Sequence, residues 1–130
     1  MPEREPFTFE KRVRSFRYAW RGLVRVVVTQ HNAWIHAMAT VLVVLAGLLA
    51  GVSRLDWALL VLAMVAVWSA EALNTAVEVL GDAVSPDNHK LVGVAKDVAA
   101  GAVLVTAVGS VVIAGLVFWP HLARLAGFGP

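Results

Sequence analysis

Three long apolar runs, residues 33–51, 57–80 and 98–119, limit what this chain can fold into more than any other feature of it. Each has close to the ~20 residues that an α-helix needs to cross the hydrocarbon of a bilayer. The core is therefore expected to be helix packed on helix, in lipid. Composition agrees, since 59% of the 130 residues are hydrophobic, mean hydropathy is +0.74, and soluble domains have only roughly 45–50% apolar residues. A single apolar run would fit a cleaved leader, but three in succession read as a polytopic membrane protein. The sequence contains no cysteine, which excludes a disulfide framework, a thiolate metal site and a cysteine nucleophile. Any metal must be held by oxygen or imidazole.

Charge is distributed as unevenly as hydrophobicity. The net charge is only +2, yet seven of the eleven Lys and Arg residues lie between Arg4 and Arg25. Residues 1–8, with Pro2, Pro6 and mixed charges, read as a mobile lead-in. Over residues 9–28, Phe9, Val13, Phe16, Trp20, Leu23 and Val27 recur at spacings of three and four. Arg14, Arg17, Arg21 and Arg25 do the same on another face. This pattern predicts an amphipathic helix lying in the headgroup region, its arginines near anionic phosphates. The remaining basic residues are Arg54 in the first loop, Lys90 and Lys96 in the 81–97 loop, and Arg124 in the tail, residues 121–130. The positive-inside rule then puts the N-terminus and the 81–97 loop in the cytoplasm and the C-terminus outside. Trp34, Trp57 and Trp119 stand at span ends as interfacial anchors, and Pro120 is expected to stop the third span. Gly47 and Gly51 form a G-x-x-x-G, and Ala102, Thr106 and Ser110 repeat small residues every fourth position. Both faces suit close helix contact.

The chemistry concentrates at the end of the second span. After an uninterrupted apolar stretch come Glu71, Asn74, Glu78 and Asp82, at steps that project all four from one stripe of a helix. A charge inside the membrane costs at least ~2.5 kcal/mol, so an intramembrane acidic pair is a functional site by default. The structural alternative is an ion pair with Lys96 or an arginine of the surface helix. Two carboxylates and an amide offer only hard oxygen ligands, which suit Mg²⁺ completed by substrate phosphates. The 81–97 loop supplies a complementary set, Asp87, His89, Lys90 and Lys96-Asp97, in which Lys96 would neutralise phosphate charge. There is no G-x-x-x-x-G-K-[ST] and no G-x-G-x-x-G, so phosphoryl transfer would proceed without either glycine-rich phosphate loop.

At these residues a family resemblance emerges. Glu71-Ala-Leu-Asn-Thr-Ala-Val-Glu78, followed by His89 and by Ala95-Lys96-Asp97-Val-Ala-Ala-Gly-Ala-Val-Leu104, resembles the prokaryotic diacylglycerol kinase family, including its undecaprenol kinase branch. The resemblance covers residues 15–119, and the opening Ser15-Phe-Arg-Tyr18-Ala-Trp20-Arg-Gly22-Leu is similar to the family's amphipathic start. It implies an all-α membrane protein, an amphipathic surface helix followed by three transmembrane helices in one domain over residues 9–120. It also implies a homotrimer, in the bacterial cytoplasmic membrane, that uses ATP and Mg²⁺ to phosphorylate a lipid hydroxyl in sites shared between neighbouring chains. Carried over by position, Glu71 would be the general base and Glu78 a metal ligand. Lys11, Tyr18, Gln30, Glu78, Asp87, His89, Lys96 and Asp97 would hold the nucleotide. Ser15, Trp20, Asn32, His36, Glu71, Asn74 and Ala100 would face the lipid. One departure stands out: where the family carries a second metal-binding glutamate, this chain has Gln30, which brings an oxygen but no charge. His31 beside it is a candidate helper ligand. His36 stands where the undecaprenol branch often has histidine and favours undecaprenol over diacylglycerol.

Two readings of a different kind compete. A carboxylate in a membrane helix also fits a proton- or ion-translocating subunit, which accounts for Glu71 but not for Lys96-Asp97. A non-catalytic membrane scaffold would use the basic helix on anionic lipid and the acidic stripe for pairing with neighbouring chains.

Overall fold

A computed structural model describes residues 8–86 and 89–127 as four helices, α1 Phe9–Thr29, α2 His31–Ala50, α3 Arg54–Val84 and α4 Lys90–Leu125, with no strand among them. The expected lead-in, apart from Thr8, and Asp87 lie outside the described residues. Helices α2, α3 and α4 are each long and apolar enough to cross a membrane, and α1 precedes them as the expected amphipathic helix. The predicted fold class is the one observed.

Each boundary has a local cause. A single extended residue, Gln30 at φ −98° and ψ 119°, separates α1 from α2; its N–H bonds back to the Val26 carbonyl at 3.0 Å and its carbonyl accepts from Ala33 N at 3.2 Å. Helix α2 ends where Gly51 adopts a left-handed φ of 63°, a conformation that glycine reaches without strain. Helix α3 opens with a capping box in which Ser53 and Asp56 satisfy each other's backbone N–H. At the start of α4, the His89 Nδ1 accepts from Leu91 N at 3.3 Å.

Helix α3 is the centre of the bundle. It packs along α4 and also touches α1 and α2. Its Leu60 is 1% exposed and joins Val52 and Val117 in a small core backed by Val43, Trp57, Ile113 and Phe118. Leu49, Leu62, Val105 and Leu116 point outward, as lipid-facing side chains should. Because lipid is as apolar as leucine, contact between the helices depends on close packing, which small residues permit. Gly47 shows this directly: a Cβ there would stand 2.8 Å from Trp57 Cη2.

Three expectations change. The 81–97 loop is mostly helix, with only residues 85–89 between α3 and α4, because hydropathy marks the stretch that lipid wets and not the polar turns that continue beyond it. Trp57 is half-buried against Gly47 and the core instead of standing free as an anchor. Pro120 does not stop the third span, since α4 continues to Leu125. Proline removes one backbone donor, but the next turn is tied back by Arg124 Nε donating to the Pro120 carbonyl and by His121 Nδ1 against the Val117 carbonyl. Membrane helices tolerate proline more readily than soluble ones do.

Candidate active site

The site is built from the second half of α3, the α1–α2 junction and the first two turns of α2 and α4. Glu71 is wholly buried, 0% exposed, and neither of its carboxylate oxygens has a hydrogen-bond partner. Its backbone carbonyl accepts from Thr75 Oγ1 at 2.9 Å. Across the helix interface, His36 Nε2 lies 3.6 Å from Glu71 Oε2. The ion pair envisaged between Glu71 and Lys96 or an arginine is therefore not formed. A buried polar atom without a partner costs roughly 1–3 kcal/mol and calls for an explanation. Four such atoms gather here, Glu71 Oε1 and Oε2, His36 Nε2 and Asn74 Oδ1. The arrangement suits a ligand that brings its own polar group into a dry site.

One to two turns along α3, Glu78 is clasped by two amides. Asn74 Nδ2 donates to its Oε1 at 3.1 Å, and Gln30 Nε2, reaching in from the α1–α2 junction, donates to its Oε2 at 3.0 Å. One more turn on, Lys96 of α4 donates to Asp82. That approach depends on Gly81, where a Cβ would stand 2.8 Å from both Lys96 Cε and Val92 Cγ1. The lysine tail can move aside, but the branched Val92 on the opposing helix cannot do so without parting α3 from α4. Gly81→Ala is expected to destabilise the protein by about 1–3 kcal/mol, in line with other overpacked contacts. It should also displace Lys96 from Asp82. Thermal unfolding in detergent checks the first effect and nucleotide binding the second.

Structure thus brings together Gln30, Asn74 and Glu78, then His36 and Glu71, then Lys96 with Asp82. Other residues picked from the sequence lie elsewhere. Ser15, Tyr18 and Trp20 are exposed on α1, Asn32 is exposed on α2, and His89, Asp97 and Ala100 are exposed around the start of α4. Lys11 sits half-buried in the first turns of α1. No hydrogen bond links Ser15, Tyr18, Trp20, Asn32, His89, Asp97 or Ala100 to Glu71 or Glu78 among the described residues. No three of His, Asp and Glu converge there as a metal cage either. Two apolar grooves flank α1, of about 660 and 490 Å³, one lined by Gly22, Val26, Thr75 and Val79 and the other by Trp20, Val27 and Trp68. Both are floored by Ala72, the neighbour of Glu71. Asp82 belongs to the acidic stripe read from the sequence, whereas nothing in the spacing points to Gly81, Thr40 or Trp68 as site residues. For Gly81 a signal existed, because a glycine inside a helix costs about 1 kcal/mol relative to alanine and usually has a packing reason.

The family model described as prokaryotic diacylglycerol kinase matches residues 17–118. This chain belongs to that family. It is 39% identical over 109 residues to the undecaprenol kinase of Bacillus subtilis strain 168, covering 84% of this chain and 89% of that one. It is 40% identical over 112 residues to a diacylglycerol kinase of Synechocystis sp. strain PCC 6803, covering 85% of this chain and 64% of the relative. The Escherichia coli K12 diacylglycerol kinase is 26% identical over 113 residues, 87% of this chain and 93% of that one. The matched region contains α2 and α3 entire, the second half of α1 and most of α4, and with them Gln30, His36, Glu71, Asn74, Glu78 and Lys96.

Proposed function

We propose that the protein is a membrane lipid kinase that moves the γ-phosphoryl group of ATP to the hydroxyl of a lipid alcohol at the cytoplasmic interface. The observation that supports this best is the buried, unpartnered carboxylate of Glu71, set beside apolar grooves that would take a lipid tail. In the reaction the lipid oxygen forms its bond to the γ-phosphorus as the bond to the ADP oxygen breaks. Glu71 takes the hydroxyl proton, and the products are a lipid phosphate monoester and ADP. Enclosure in a low-dielectric site keeps competing water away from the phosphoryl group.

Mg²⁺ fits the donor set at Glu78 as a partly hydrated ion held by one carboxylate and completed by nucleotide phosphates, the usual arrangement for this metal. When bound it would offset phosphate charge. Glu78 would hold it, with the Gln30 amide turned to present its oxygen. Lys96 would exchange Asp82 for phosphate, and Lys11, Tyr18, Asp87, His89 and Asp97 would complete the nucleotide site. Ser15, Trp20, Asn32, His36, Asn74 and Ala100 would border the lipid. The exposure of Tyr18, Asp97 and Ala100 in a single chain favours a homotrimer in which a neighbour closes each site. The N-terminus and the α3–α4 connection face the cytoplasm, and the C-terminus faces outside. The translocating-subunit and scaffold readings draw no support from the family.

His36 favours undecaprenol as the alcohol. The test is transfer of labelled phosphate from ATP to undecaprenol and to diacylglycerol by purified protein in detergent. Transfer to undecaprenol should be the faster. Faster transfer to diacylglycerol would overturn the choice of alcohol, and no transfer to either would overturn the kinase reading.

A further inference from the structure

Nothing on α3 orients the Glu71 carboxylate. Its side chain is fully buried and its two oxygens have no hydrogen bond, so a base in this position would be free to rotate away from a substrate hydroxyl. The polar group that faces it belongs to α2: His36 Nε2, 3.6 Å from Oε2 and itself without a hydrogen bond.

The imidazole is held there by a closed set of contacts. Its ring stands edge-on to Trp68, with centroids 6.5 Å apart and planes at 68°. Trp68 Nε1 donates to Thr40 Oγ1 at 3.1 Å, and Thr40 Oγ1 donates in turn to the backbone carbonyl of His36 at 2.7 Å. Trp68 lies three residues before Glu71 on α3, so the two share a face. Thr40 lies four residues after His36 on α2 and shares a face with it. One helix thus presents base and clamp, the other presents imidazole and clamp, and the Thr40–Trp68 hydrogen bond sets the spacing between them.

We infer that His36 is the positioning residue of Glu71, with Thr40 and Trp68 aligning it. In the Nε2–H tautomer the ring donates to one carboxylate oxygen and leaves the other to receive the proton of the lipid hydroxyl. The gap exceeds a normal N–H···O distance by ~0.6 Å, and catalytic hydrogen bonds commonly tighten only once substrate is bound. The ring is not locked by packing on every side, because a cavity of about 110 Å³ adjoins it between Thr40, Val43, Met64 and Ser110. This inference rests on Glu71 being the base.

The experiment compares His36→Gln, His36→Leu, Trp68→Phe and Glu71→Gln in the lipid phosphorylation assay, with KM measured for both substrates and folding checked by size exclusion. Glutamine keeps an N–H donor of similar reach and should retain turnover within about tenfold of wild type. Leucine fills the space without a donor and should lower kcat by roughly 10²-fold, the scale on which a misplaced reacting group lowers rate. KM for MgATP should hold in both, and KM for lipid should change far less than kcat does in His36→Leu. Phenylalanine at 68 keeps the ring edge but frees Thr40, and its kcat should fall between the two. A raised lipid KM with unchanged kcat in both His36 variants would leave His36 as a lipid contact alone, with no hold on Glu71, and overturn the inference. If His36→Leu does not fold, a folded His36→Gln as inactive as Glu71→Gln would overturn it equally. An active Glu71→Gln would instead remove the base reading itself, whereas an inactive Glu71→Gln beside a fully active His36→Leu would remove only the role of His36.

Discussion

Replacing Glu71 with glutamine is expected to lower lipid phosphorylation by roughly 10²–10⁴-fold, the usual contribution of a general base, while raising or preserving thermal stability. Glutamine has nearly the same volume and keeps one acceptor oxygen, so packing in the 0% exposed position is retained. What it loses is the capacity to take a proton at neutral pH. The second half of the expectation follows from the structure. Glu71 makes no side-chain hydrogen bond, and a carboxyl group taken out of water without a partner is a cost to folding. A neutral amide of the same size does not add to that cost, which the fold carries because function needs a desolvated group. Nucleotide binding should be kept, because the amides around Glu78 and the Lys96 ammonium are untouched. Lipid phosphorylation, nucleotide binding and thermal unfolding in detergent measure the three effects. Inactivity together with a fall in unfolding temperature would make Glu71 a structural residue, and near-full activity would remove it from the chemistry.

That combination of buried carboxyl and missing partner marks the limit of what the sequence discloses. Spacing alone placed Glu71, Asn74 and Glu78 on one stripe of α3, because helical periodicity is a property of a single element. It could not say that Asn74 and Gln30 both donate to Glu78, or that Lys96 would go to Asp82 and not to Glu71, because those choices depend on how α1, α3 and α4 lean on one another. The same holds for the glycines. Gly47 and Gly51 looked equivalent as a pair, yet one makes room for Trp57 and the other turns the chain through a left-handed φ. Hydropathy located all three spans but not the helix ends, since α3 and α4 continue past the apolar runs on both sides, to Arg54–Val84 and Lys90–Leu125. His36 was legible as a residue near the site and not as the neighbour of Glu71. Two residues on different helices, 35 positions apart, have no sequence signal of contact.

The clasp around Glu78 predicts the largest change in metal dependence. Glu78→Ala removes the one carboxylate that Gln30 and Asn74 converge on, and half-saturation by Mg²⁺ should rise by about tenfold or more, the metal then being held almost entirely by phosphate. Gln30→Glu should move it the other way, and with a signature that activity alone would not reveal. In the wild type, Gln30 donates an N–H to Glu78 Oε2 at 3.0 Å. A carboxylate at position 30 replaces that hydrogen bond with like-charge repulsion at the same distance, so without metal the variant should unfold at a lower temperature than wild type. Mg²⁺ turns the repulsion into coordination. Because a ligand that binds only the folded state stabilises it by RT ln(1 + [L]/Kd), about 2.7 kcal/mol at a hundredfold excess, the unfolding temperature of Gln30→Glu should climb steeply with Mg²⁺ while that of wild type climbs little. Its half-saturating Mg²⁺ in the phosphorylation assay should fall below that of wild type. His31, exposed on the first turn of α2, is the neighbour that would have to supply the missing ligand if Gln30 does not, so His31→Ala completes the set. An unchanged Gln30→Glu titration beside a weakened His31→Ala titration would move the metal to His31, whereas a metal-dependent unfolding temperature in Gln30→Glu and an unaltered His31→Ala would fix it between positions 30 and 78.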